Sequence, residues 1–230
     1  MKNWVTGWNL LCISAALLAG GADASEDAAV EAAIQRQCPS AYAFHAAHKP
    51  SEPRPVVATM PALQGELNKM AEGDQSVRSG GFKVLSDQEK RDRLEEVDAK
   101  NLRRIKAIVE AHGLPTPALV GYDGVGSFWL LTQHATDYEF QDRVLTQIEK
   151  LGSESGVSAQ QIAMLRDRIL VRKGLPQRYG TQFKLMFENG AVEPYPIENP
   201  EHVDDRRKQI GLMSMVDYKC VLTAVSTVPR

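Results

Sequence analysis

Apolar side chains recur every three or four residues along most of this chain, and a glycine or proline ends nearly every run. That spacing is the signature of helices burying one face each. Glu26 to Gln37 is alanine-rich and reads as a first helix. Pro50, Pro53, Pro55 and Pro61 then mark a non-helical connector. Leu63, Leu67, Met70 and Val77 define a stripe ending near Arg78, before Ser79-Gly80-Gly81. Ser86 or Asp87 caps a helix that carries Leu94, Val97, Ile105 and Ile108 and stops at Gly113 and Pro115. Residues 113–126 read as a loop and Val125 to Ala135 as a short helix. Asp137 and Ser158 cap two more helices, the second running to Lys173 and ended by Gly174 and Pro176. The period then drops to two from Tyr179 to Phe187, and Asn189-Gly190 is a preferred hairpin turn. Asn199 caps a helix with Pro200 at its first position, Gly211 ends it, and Ser214 to Val225 forms the last. The expected fold is mainly α, a compact helical domain over 61–230 with one β-hairpin near the C-terminus. An N-terminal helix and connector over 25–60 precede it.

The N-terminus has the layout of an export signal. Lys2 precedes an apolar run from Leu10 to Leu18, and Ala22 and Ala24 occupy the small-residue positions before a cut. The expected signal peptide is 1–24, and the expected location is secreted or periplasmic. The run is too short to span a bilayer, which takes about 20 residues. Cys12 follows Leu10-Leu11 rather than a small residue, so no stable membrane anchor is expected after cleavage. Cys12 leaves with the signal, and the remaining pair, Cys38 and Cys220, invites a disulfide in an oxidising compartment. A formal net charge of -2 argues against a large nucleic-acid footprint.

Three helices each aim a polar residue along an apolar stripe. Asp74 lies between Met70 and Val77, with Arg78 one turn on at ion-pair spacing. Asn101 lies between Val97 and Ile105, and His134 follows Leu130 and Leu131. Leaving such groups unpaired in a core costs roughly 1–3 kcal/mol each, so they are expected to meet one another, a ligand or water. Two readings stay open: a structural hydrogen-bond network, or a pocket. In the pocket, His134 is the natural general acid or base, and Asp74 orients it.

Further segments follow in a fixed order: Gly113–Thr116, Gln133-His134-Ala135, Asp167-Arg168, Gln177–Gln182, Asp204–Arg207 and Gly211-Leu212. With Asp74-Gln75-x-x-Arg78 at their head, they resemble a bacterial domain family of unknown function marked by DQxxR, QHA, DR and YGTQ motifs. The resemblance covers about residues 60–215. It implies no established activity. It does point to Asp74, Gln75, Arg78, Asn101, His134, Asp167, Arg168, Tyr179, Thr181, Gln182 and Arg207 as the positions that matter.

Read from spacing, Asp167 and Arg168 flank the stripe of Ile162, Leu165 and Ile169, with Arg166 nearer its middle. They are expected to cap or salt-bridge, bracing the hairpin. Thr181 and Gln182 should face opposite sides of a regular strand, and Arg206 and Arg207 either meet a carboxylate or phosphate or form a solvated face or pair with Asp204 and Asp205. His45 and His48 have no evident third ligand, Gly121-x-x-Gly124-x-Gly126 is neither a dinucleotide fingerprint nor a P-loop, and no G-x-S-x-G elbow occurs. No cofactor or metal is expected. The functional expectation is a buried polar pocket for a small anionic or envelope-derived ligand. A hydrolase using His134 and a non-catalytic scaffold are the alternatives.

Overall fold

The computed structural model describes residues 24–48, 55–78, 87–186, 191–226 and 228. The expected signal peptide, the Ser79-Gly80-Gly81 break, Ser86 and the Asn189-Gly190 turn fall outside these residues, apart from Ala24. The helices are α1 (Ala24–Gln37), α2 (Pro39–Ala47), α3 (Pro61–Arg78), α4 (Asp87–His112), α5 (Pro117–His134), α6 (Tyr138–Leu151), α7 (Ala159–Arg172), α8 (Val203–Gln209) and α9 (Met215–Ser226). One antiparallel hairpin, β1 (Phe183–Met186) with β2 (Ala191–Pro194), pairs Phe183 with Pro194 and Lys184 with Glu193. The chain is mainly α with a single hairpin near its C-terminus, the fold class the periodicity predicts. Among the described residues, no helix is long and apolar enough to cross a membrane.

Two apolar clusters organise these elements. Leu67, Ile105, Ile108, Val120, Leu131, Ile148 and Leu165 centre the larger one, which joins α3 to α7. Ile34, Cys38 and Ala41 of the N-terminal segment join Phe183, Val192 and the α9 residues Tyr218, Val221 and Leu222 in the smaller. Cys38 and Cys220 form a disulfide, with Cα atoms 5.9 Å apart, fastening the α1–α2 corner to α9. Caps fix the helix starts where the sequence placed them. Asp137 accepts from the Phe140 N–H, and Ser158 and Gln161 form a reciprocal capping box.

Three expectations are corrected. Residues 117–126 are not a loop but the first turns of α5, which bends at Gly121 (φ 65°, ψ 171°). Their glycines serve close packing: a Cβ on Gly121 would lie 2.9 Å from Gln64 Nε2, and one on Gly124 2.7 Å from Val120 Cβ. That lets α3 and α5 make the most extensive helix–helix contact among the described residues. The strand does not start at Tyr179. Gly180 takes a left-handed φ of 66°, which interrupts the extended run, and Thr181 and Gln182 lie ahead of β1 and are both buried. Asn199 does not cap with its side chain; Pro200–His202 form a 3-10 turn leading into α8.

Gly180 yields a first prediction. An added Cβ would meet Met215 Sδ at 2.5 Å and Ile197 Cδ1 at 3.1 Å, on a backbone that disfavours any side chain. Gly180→Ala is expected to lose about 1–3 kcal/mol in urea denaturation; an unchanged midpoint would show that this corner yields.

Candidate functional site

The site forms where α3, α4, α5 and α7 bring charged and amide side chains together. Asp74, on the inner face of α3, is 1% exposed. His134, in the last turn of α5, places Nδ1 2.5 Å from Asp74 Oδ2. An ionised carboxylate only accepts, so Nδ1 carries the proton and Nε2 the lone pair. Among the described residues, that Nε2 is buried without a partner. The same Asp74 Oδ2 also accepts from Arg78 Nε at 3.2 Å, Oδ1 accepts from Arg78 Nη2 at 3.4 Å, and Nη2 reaches Asp98 of α4 as well. The helical spacing therefore delivers both the inward polar stripe and the i, i+4 pair that the sequence implies.

The ionisation states follow from this geometry. Burial opposes charging Asp74, but the hydrogen bond from His134, the charge His134 takes on in acid, and Arg78 outweigh it and hold the carboxyl below its usual range. Burial pushes the His134 imidazole below its ordinary value, against the pull of Asp74, and the charges of Arg78 and Arg168 push the same way. We take His134 as neutral at pH 7, which makes the pair a hydrogen-bonded dyad rather than an ion pair. Asp98 is pushed up to about 6 by burial, with Arg78 and Arg172 pulling down and Asp74 adding to the rise. Its folded value lies above the unfolded one, so its contribution is full below about pH 4 and lost as pH rises through about 6. Asp98→Asn is expected to flatten that part of the decline in melting temperature between pH 4.5 and 7. A decline as steep as in the parent protein would refute it.

Arg168 of α7 completes the cluster. Its Nε donates to Gln133 Oε1 at 2.8 Å, and this is its hydrogen-bond partner among the described residues. Burial, with the nearby charges of Arg172 and Arg78, lowers it to about 10. Arg172 donates to the Ala135 carbonyl, and Gln141 Nε2 donates to the Thr132, Gln133 and Ala135 carbonyls. The negative end of α5 is thereby satisfied from the protein side. Three arginines face two carboxylates and a neutral imidazole, so the cluster carries excess positive charge. Among the described residues, no group of three or more His, Cys, Asp or Glu could hold a metal ion.

The remaining positions sort into two places. Gln75 follows Asp74 on α3 and Asn101 lies one turn after Asp98 on α4, and among the described residues Gln75 Oε1 and Asn101 Nδ2 are buried without partners. Asp167, Tyr179, Thr181, Gln182 and Arg207 instead build a brace under the hairpin. Asp167 is 0% exposed and accepts from the backbone N–H groups of Arg178, Tyr179 and Thr181 and from the Thr181 hydroxyl. Gln182 N–H donates to Gln177 Oε1, whose Nε2 returns bonds to the Gln182 and Tyr195 carbonyls. Arg207 is 1% exposed and donates to the Tyr179 and Met213 carbonyls, its guanidinium 4.9 Å from the Tyr218 ring centre.

Hence Asp167 and Arg168 do not flank the core as a bracing ion pair, and Arg207 is not solvated. Helix α7 has a second buried side, facing residues 177–182, which a single-stripe reading misses. Arg166, placed nearer the stripe's middle, pairs with Glu149 at the surface.

Residues 61–227 match a family described as a family of unknown function (DUF6624). The chain belongs to this family. Among curated proteins and solved structures, none matches the chain. Every helix that builds the site lies inside the matched region. The α1–α2 corner and Cys38 precede it, so the disulfide joins a segment outside the family region to α9 inside it. Spacing alone missed Asp98, Gln133, Arg172 and Gln177. Gln133 had one signal, its place beside His134 in the QHA segment. Asp98 had another, three residues before the inward Asn101.

Proposed function

We propose that this domain binds a small anionic ligand at Arg168, beside the Asp74–His134 dyad. The observation that carries the reading is a part-buried guanidinium whose hydrogen-bond partner among the described residues is a neutral amide. Such a charge, set beside two further arginines, carries a desolvation cost that an anionic ligand would offset. Arg172 and Arg78 add to the positive field, and His134 Nε2 offers a lone pair to any proton the ligand brings. The export pattern at the N-terminus and the disulfide support a secreted or periplasmic protein acting on an extracytoplasmic or envelope-derived ligand.

Arg168→Met separates this reading from a purely structural one. The variant is expected to keep its stability within about 1 kcal/mol of the parent, or to gain. It should also lose the rise in melting temperature that added sulfate gives the parent protein. A large loss of stability with the sulfate response intact would make Arg168 structural.

The dyad favours a second reading, hydrolysis. A carboxylate-oriented imidazole with a free Nε2 is the arrangement of a general acid or base. Under that reading His134→Gln abolishes turnover of a responsive ester substrate while the melting curve stays cooperative.

A further inference from the structure

Helix α5 carries two donors without a partner among the described residues, one of them on the residue bonded to Arg168. Trp129 and Gln133 stand one turn apart, so their side chains share a face of the helix. They are 3% and 2% exposed, and among the described residues Trp129 Nε1 and Gln133 Nε2 are both buried without a hydrogen-bond partner. The amide orientation of Gln133 is fixed, because its Oε1 accepts from Arg168. Trp129 also belongs to neither apolar cluster, although it is the largest side chain among the buried hydrophobic residues. A core indole without a partner is costly, and one turn on stands an amide nitrogen in the same condition, on the residue whose oxygen accepts from Arg168.

We propose that Trp129, Gln133 and Arg168 form the seat of a tetrahedral oxyanion, a phosphate or sulfate group. This rests on the anion-site reading above and names the class of anion. The indole N–H, the amide NH2 and the two terminal NH2 groups of Arg168 all donate. Together they outnumber the about four lone-pair sites of a carboxylate. A sugar hydroxyl or an amide would bring donors of its own into a donor-lined space. Phosphate and sulfate only accept when fully ionised, spread acceptor oxygens in several directions, and match the guanidinium fork. The three arginines against two carboxylates supply the charge.

Trp129 is also a reporter. The full chain has three tryptophans, at 4, 8 and 129. In the full-length protein carrying Trp4→Phe and Trp8→Phe, the indole N–H resonance in a proton–nitrogen NMR spectrum belongs to Trp129. At constant ionic strength, sodium sulfate and inorganic phosphate are expected to shift that resonance saturably. Sodium acetate should bind at least about tenfold more weakly, a gap of about 1.4 kcal/mol. Gln133→Glu keeps the acceptor for Arg168 but removes the amide donors, and should abolish the sulfate shift while the variant melts cooperatively. Calorimetric sulfate binding with an unmoved indole resonance would overturn the seat and leave the anion site standing. Acetate binding as tight as sulfate would overturn the tetrahedral class. No anion binding by either method would overturn both readings.

Discussion

Replacing Asp167 by alanine is expected to cost about 4 kcal/mol or more, a large share of the roughly 5–15 kcal/mol that holds a domain together. The carboxylate is fully buried and is the common acceptor for three backbone N–H groups and one hydroxyl of residues 178–181. Water cannot reach these donors once the hairpin is packed, and each orphaned group costs roughly 1–3 kcal/mol. Burial pushes the Asp167 carboxyl up, and the same four donors pull it back toward the ionised form. Asp167→Asn keeps one acceptor oxygen but turns an NH2 toward N–H donors, so it should recover only part of the loss. Thr181→Ala, which removes the hydroxyl alone, should cost about 1 kcal/mol. Urea denaturation of the three variants reads the ranking. A loss below 1 kcal/mol for Asp167→Ala would mean that this corner rearranges freely, which the bonds described here forbid.

Asp74→Ala is the second large effect, expected near 3–5 kcal/mol. The change strands the Nδ1–H of His134 and takes from Arg78 one of its two carboxylates. Asp74 is held below its usual range. Its contribution is therefore present above the unfolded value and is lost as pH falls through the folded one. The parent protein should lose this component of stability in acid, and Asp74→Ala should already lack it at pH 7. The two curves should thus converge as pH falls. Asp74→Asn keeps the shape and an acceptor, so it should cost less than the alanine. A constant offset between parent and alanine variant down to low pH would show that the lost energy is packing, not charge.

The helices were legible because their stripes, caps and stops are local. Leu63 and Leu67, Asp137, Ser158 and Gly211 each act within a turn or two of their own position. The inward Asp74, Asn101 and His134 were legible for the same reason, since a polar residue on an apolar stripe has to find a partner. What was not legible depends on segments far apart in sequence. The second buried face of α7 exists only because residues 177–182 fold against it, and this is what turns Asp167 inward. Gly121 and Gly124 read as loop glycines until α3 is laid across them. Asp98 and Gln133 join the site only through Arg78 and Arg168, and no spacing within one helix announces such a meeting.

An oxyanion received at the Arg168 corner, beside the Asp74–His134 dyad, is located directly by selenium anomalous scattering from crystals of the full chain grown or soaked with selenate. A peak is expected within hydrogen-bond reach of Arg168 and Gln133 in the parent protein, and none there in Arg168→Met. Selenate found only elsewhere on the protein, with the Arg168 corner closed by its own side chains, would contradict it.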